Sequence, residues 1–203
     1  MNATVGRDQF VAGLADGVRV LAIAGGFWFA LAAWSAGGSA LIWTTGPLLI
    51  LVGLLVLKSW KLRQTSSFTR DQARNAPKGS ATWKIRVAFG IVGSTETVAV
   101  IVVGSVCFAL HRLDTLWPWI GVIVGLHFIP LGWIFNLRAY YLVGLLGTAL
   151  SLAAILRLQG SATSTAVGVG LGLILTLCAI YMLTRSESLV PRGTSEGQLG
   201  AEE

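Results

Sequence analysis

Residues 87–110 read VAFGIVGSTETVAVIVVGSVCFAL, twenty-four positions with a single charged side chain, Glu96. At ~1.5 Å per residue, a helix of that length reaches beyond the ~30 Å hydrocarbon core of a bilayer. Five further runs meet the same test, at 18–34, 40–57, 117–135, 139–156 and 164–184. A transmembrane barrel would need lipid-facing and lumen-facing residues to alternate. Leu48, Leu49, Ile50, Leu51 and Val52 follow one another without a polar interruption. The fold class is therefore all-α, an integral membrane bundle of six transmembrane helices.

Composition agrees. Hydrophobic residues make up 54% of the chain and charged residues 12%, about half the charge of a soluble domain, and the mean hydropathy is +0.73. Five of the nine acids lie in the terminal tails (Asp8, Glu187, Glu196, Glu202, Glu203), while Asp16, Asp71 and Asp114 lie near segment ends or in connections. Only Glu96 falls inside a long apolar run.

The basic residues set the orientation. Eight of the fifteen lie between Lys58 and Arg86. With both termini in the cytoplasm, thirteen basic residues stand inside, and only Arg112 and Arg157 stand outside, as the positive-inside rule requires. Trp34, Trp43, Trp117 and Trp119 then form an outer aromatic belt, and Trp60, Trp83, Trp133, Tyr140 and Tyr181 an inner one.

This divides the chain into a cytoplasmic segment 1–17, a helical domain 18–184 with a basic cytoplasmic loop 58–86, and a flexible tail 185–203. Within the loop, Ser67 to Ala76 suit a short surface helix before a turn at Pro77, Lys78 and Gly79. The first span has the basic flank of a signal peptide, but its seventeen-residue apolar run is long for one, and we read it as retained. Leu189 to Gly193 resemble a thrombin recognition sequence, so residues 186–203 carry no weight in the fold.

Net charge +6 is here a property of the juxtamembrane loop. It points to anionic lipid headgroups near Lys58, Lys61, Arg63, Lys84 and Arg86 rather than to nucleic acid. Cys107 and Cys178 sit in different apolar segments toward opposite ends, and read as buried small hydrophobes. Pro47 and Pro130 interrupt the second and fourth spans, each withholding a donor from the carbonyl four residues earlier. Glycine pairs at four-residue spacing, Gly121 with Gly125 and Gly168 with Gly172, let helices approach closely, within the chain or between copies of it. No internal repeat is evident.

Glu96 is the sharpest chemical signal. An acid near the bilayer centre must face the protein interior or a wet cavity. Counting from the 111–116 connection places His127 opposite residue 100, one turn from Glu96, so the two share a depth. A carboxyl and an imidazole there can pass a proton. Ser94, Thr95 and Thr97 flank the acid and complete the candidate ion, proton or ligand site, on a central hairpin of the third and fourth helices.

Other chemistries fit less well. Ser94 lacks the glycine pattern of a nucleophile elbow. His111 lies at the outer edge and His127 near mid-depth, so the two cannot ligate one haem. One histidine and one acid are too few for a dedicated metal site. We expect no cofactor and no catalytic centre. Two functions remain: a small transporter or channel-like protein coupled through Glu96 and His127, or a lipid-binding or regulatory scaffold in which that pair is structural.

The stretch from Gly125 to Phe135, with His127, Phe128, Pro130 and Leu131 followed by Tyr140 and Tyr141, resembles small uncharacterised bacterial multi-pass membrane proteins carrying a His-Phe-x-Pro-Leu motif. The likeness covers about two helices and implies a bacterial inner-membrane setting. Six helices in about 200 residues is also similar in layout, without shared motifs, to the insulin-induced-gene type of sterol-regulatory protein.

The orientation predicts a labelling pattern. With Cys107 and Cys178 replaced by alanine, Lys78→Cys should react with a membrane-impermeant maleimide only after the membrane is opened. Labelling in intact cells would reverse the topology.

Overall fold

A computed structural model of the chain describes residues 3–37, 39–64, 75 and 77–189, with the backbone alone for residues 3–11, 39–44, 81 and 186–189. Six long helices follow one another: α1 (Ala3–Ala36), α2 (Ser39–Gln64), α3 (Ala81–Ala109), α4 (Leu116–Phe135), α5 (Arg138–Arg157) and α6 (Ser161–Leu189). All six contain a stretch long and apolar enough to cross a membrane. Helices are the only open-ended solution there, because lipid offers backbone N–H and C=O groups no partner.

The helices overrun the apolar stretches at their polar ends. α2 continues through Lys58, Lys61 and Arg63 to Gln64, and α6 continues past Arg185 to Leu189, where a flexible tail was expected. Lys and Arg favour helix and lay their aliphatic stems along apolar surface. The surface helix expected at Ser67 to Ala76 lies outside the described residues, apart from Asn75. The turn after it is present: Gly79 takes φ +84°, and Ser80 caps α3 by accepting a hydrogen bond from Trp83 N at 3.2 Å.

Among the described residues, two non-glycine residues adopt the left-handed conformation, His111 (φ 53°) and Asn136 (φ 51°). Each closes a helix by the same pair of bonds. At the end of α3, Arg112 N donates to Cys107 O and His111 N to Phe108 O. At the end of α4, Leu137 N donates to Gly132 O and Asn136 N to Trp133 O. These are Schellman caps, and they reverse the chain at both ends of α4.

α1 and α6 form the spine. Half of the α1 apolar window and 56% of that of α6 are buried, and Val18, Leu21, Phe29, Val167, Leu171 and Leu175 are fully enclosed. Their backbones come close because small residues face each other. A Cβ at Gly25 would lie 2.7 Å from Thr176 Oγ1, and one at Gly168 would lie 2.8 Å from Trp28 O. α2 packs on α1, α5 on α6, α4 on α5, and α3 on α4. The α4–α5 contact is tighter still: a Cβ at Gly125 would stand 2.6 Å from Thr148 N, and one at Gly144 would stand 2.9 Å from Gly125 O.

The buried hydroxyls of Ser151, Thr148 and Thr176 have no hydrogen-bond partner among the described residues. Each is set over a glycine of the facing helix, Gly121, Gly125 and Gly25 respectively. Both glycine stripes are thus buried inside this chain, and a second copy would have to use other residues than Gly121, Gly125, Gly168 and Gly172. Cys107 and Cys178 are buried free thiols.

A second expectation is corrected. The third helix does not share a central hairpin with the fourth; α3 lies at the edge of the bundle. Only 6% of its apolar window is buried, and Ile91, Val98, Ile101, Val102 and Phe108 face outward. The apolar side chains of α3 carry no signal of which side meets protein, and Glu96 alone marks it.

The close approach of α4 and α5 yields a direct test. Gly125→Val should cost about 1–3 kcal/mol, as overpacking does, because the obstruction is backbone. Gly53→Ala, with nothing within 4 Å of its Cβ, should be neutral or slightly stabilising. Reversible unfolding in mixed micelles measures both, and equal behaviour of the two would refute the packing.

Candidate functional site

The site grows from the α3–α4 hairpin. Phe89 stacks edge-on to Phe135 at 6.3 Å near one end, and Cys107 Sγ lies 4.0 Å from Thr115 Oγ1 near the other. Between them Glu96 meets His127, with Oε2 3.1 Å from Nδ1. Glu96 is fourteen residues from Thr82 and thirteen from Ala109, the ends of its apolar helix, so the contact lies at mid-depth.

The partner of His127 differs by one turn from the count along the chain, which placed residue 100 opposite. The cause is local. A 3-10 turn at Leu113–Thr115 begins the return four residues before 117, where the fourth span was expected to start, and slides His127 down to Glu96.

His127 is nearly enclosed, its side chain 13% exposed, and Glu96 is 29% exposed. The two are at contact distance, yet the ring N–H is not directed at the carboxylate, and Nδ1 has no hydrogen-bond partner. Phe128 presents its edge to the imidazole at 5.9 Å.

Beside the pair is a groove of about 220 Å3, walled by Ile91, Val92 and Ala99 from α3 and by Ile123, Leu126 and Pro130 from α4. Thr95 also lines it, with its hydroxyl donating to Ile91 O at 2.9 Å. Ser94 and Thr97 do not. Both are exposed on other faces of α3, and Thr97 donates to Gly93 O at 2.9 Å. Of the five residues nominated from sequence, the structure brings together Glu96, His127 and Thr95. A cavity buried at the centre of the bundle is not what they form. Because α3 packs on α4 at the edge, the groove lies at the side of the bundle.

Pro130 lies inside α4 and has no N–H to give the carbonyl of Leu126. Leu126 and Pro130 both line the groove, so the carbonyl that Pro130 leaves without its helical donor belongs to a groove residue. His111 serves as a helix cap and takes no part.

A charged cluster went unread in the sequence. Asp16 on α1 lies 3.8 Å from Arg19 Nη1 and 3.6 Å from Arg63 Nε on α2, and the Arg19 guanidinium covers the Trp60 ring at 5.3 Å. It ties α1 to α2 at the polar end of the bundle. Arg63 thus turns toward Asp16, while Lys58, Lys61, Lys84 and Arg86 are exposed. The signal was available: Asp16 and Arg19 are three apart just before the first span, and Arg63 lies just beyond the second.

Contact between Glu96 and His127 predicts energetic coupling. A double-mutant cycle with Glu96→Gln and His127→Gln, followed by unfolding in mixed micelles, should give an interaction energy of about 0.5–3 kcal/mol. Additivity within about 0.3 kcal/mol would place the two apart.

Among known proteins, the family described as "Family of unknown function (DUF7010)" matches over residues 89–185. That stretch runs from α3 into α6 and includes both Glu96 and His127. Neither a curated protein nor a solved structure shows significant similarity to the chain. The chain is a multi-pass helical membrane protein, similar over that stretch to a family without an assigned activity.

Proposed function

We propose that this chain is a small transport protein of a bacterial inner membrane, in which Glu96 and His127 form a proton- or ion-coupling pair. The observation carrying this reading is their 3.1 Å approach on facing helices at mid-depth. An acid at the centre of a membrane helix costs about 2.5–3.5 kcal/mol on insertion scales, and such residues mark ion and proton pathways. The groove beside the pair gives a ligand access to it, and Thr95 and the Leu126 carbonyl add acceptors there.

The setting follows from charge. With both termini inside, Lys58, Lys61, Lys84 and Arg86 meet the anionic inner leaflet, each attracted by about 1 kcal/mol near the surface. The alternative, a lipid-binding or regulatory scaffold with a structural pair, draws support from the lateral opening of the groove and the unaligned imidazole.

Proteoliposomes separate the two. With a pH-sensitive dye inside and an imposed gradient, the native chain should dissipate the gradient in a pH-dependent way. Glu96→Gln should abolish that flux at unchanged yield and helix content. A flux indifferent to Glu96→Gln would assign the pair to structure.

A further inference from the structure

We infer that the α3–α4 groove binds the head of a lipophilic ammonium ion, which enters from the membrane and exchanges against the proton held by Glu96 and His127. This rests on the coupling reading above and names its substrate class.

The polar groups of the groove choose the class. Glu96 supplies a carboxylate. The carbonyl of Leu126 lacks its helical donor because residue 130 is proline. Thr95 has given its proton to Ile91 O, so its oxygen is left as an acceptor. Against these three acceptors, the groove offers one donor, the imidazole. An ammonium carries several N–H donors and one positive charge, and matches this set. A carboxylate or phosphate head would meet Glu96 with like charge, and a neutral head carries no charge to exchange against the proton of the pair.

Size and access choose the rest of the molecule. About 220 Å3 is below the ~300–1,000 Å3 of sites that enclose a whole drug-sized ligand. The groove therefore takes the head and adjoining carbons, and its open side leaves the apolar body in lipid. A strongly hydrated inorganic cation would have to shed its water against Ile91, Ile123 and Leu126, with too few oxygens to replace it.

The exchange balances. In this exchange the pair carries one proton before the ammonium binds. When R-NH3+ arrives from the membrane, the carboxylate pairs with it, and one proton passes by way of His127 to water. No bond other than O–H or N–H changes.

Dodecylammonium is the probe, titrated into phosphatidylcholine nanodiscs that carry the full chain, with empty nanodiscs subtracted. Saturable uptake of one amine per chain is expected, with one proton released in weak buffer. Dodecanol should show no saturable uptake. Glu96→Gln should weaken the amine by roughly ten- to a hundredfold, as expected for loss of a charge-assisted hydrogen-bonded pair. Pro130→Ala, which returns a donor to Leu126 O, should weaken it about fivefold while leaving the acid in place. Equal uptake of dodecanol, or uptake unchanged by Glu96→Gln, would overturn the inference. A Glu96-dependent proton flux in proteoliposomes that ignores dodecylammonium would overturn it too, while leaving the coupling pair intact.

Discussion

The contact between Gly125 of α4 and Gly144 and Thr148 of α5 fixes more than the distance between two helices. A backbone approach of this kind admits one rotation of α4, because any other would drive a side chain into the neighbouring main chain. Gly121 and Gly132 lie on the same fastened side, against Ser151 and Tyr141. His127 lies on the other side of the helix, and α3 is there to meet it. The position of the imidazole is a consequence of where the glycines are.

From that constraint the asymmetry of the molecule follows. α1 and α6 fill the interior with large side chains such as Phe29, Leu171 and Leu175, and α5 and α4 build outward from them. α3 comes last, held by one neighbour and bathed by lipid elsewhere. The polar pair is consequently at the margin of the bundle, at mid-depth. At the opposite margin Asp16, Arg19, Arg63 and Trp60 secure α2 to α1. Both edge helices are thus held by polar contacts, one near the headgroups and one within the hydrocarbon.

Six spans were legible because length and scarcity of charge are decided by the bilayer alone, and each of the six apolar runs falls on one helix, the third ending one residue past Ala109. The shared depth of Glu96 and His127 was legible for the same reason, since depth depends on residue count along short connections. Lateral order was not. α1 and α6, whose apolar windows are the most buried, are the most distant in sequence, and on the uniformly apolar α3 only Glu96 marks the side turned to α4. The one-turn error in register came from Leu113–Thr115, which read as connection and is already descending. Asp16 was misjudged because charges at span ends serve topology so often that an ion pair between them attracts no notice. His111 likewise carried no sign that it would cap a helix in the left-handed conformation.

Rotation of α3 against α4 is the claim on which the site stands, and disulfide scanning measures it. In a chain with Cys107 and Cys178 replaced by alanine, cysteine is placed at 127 and at each of positions 92–99 in turn, and intramolecular crosslinking is followed under mild oxidation in native membranes. The account predicts a maximum at 96, weaker bonds at 92 and 99, and little at 94 or 97. A maximum at 94 or 97 would turn Glu96 away from His127 and contradict it.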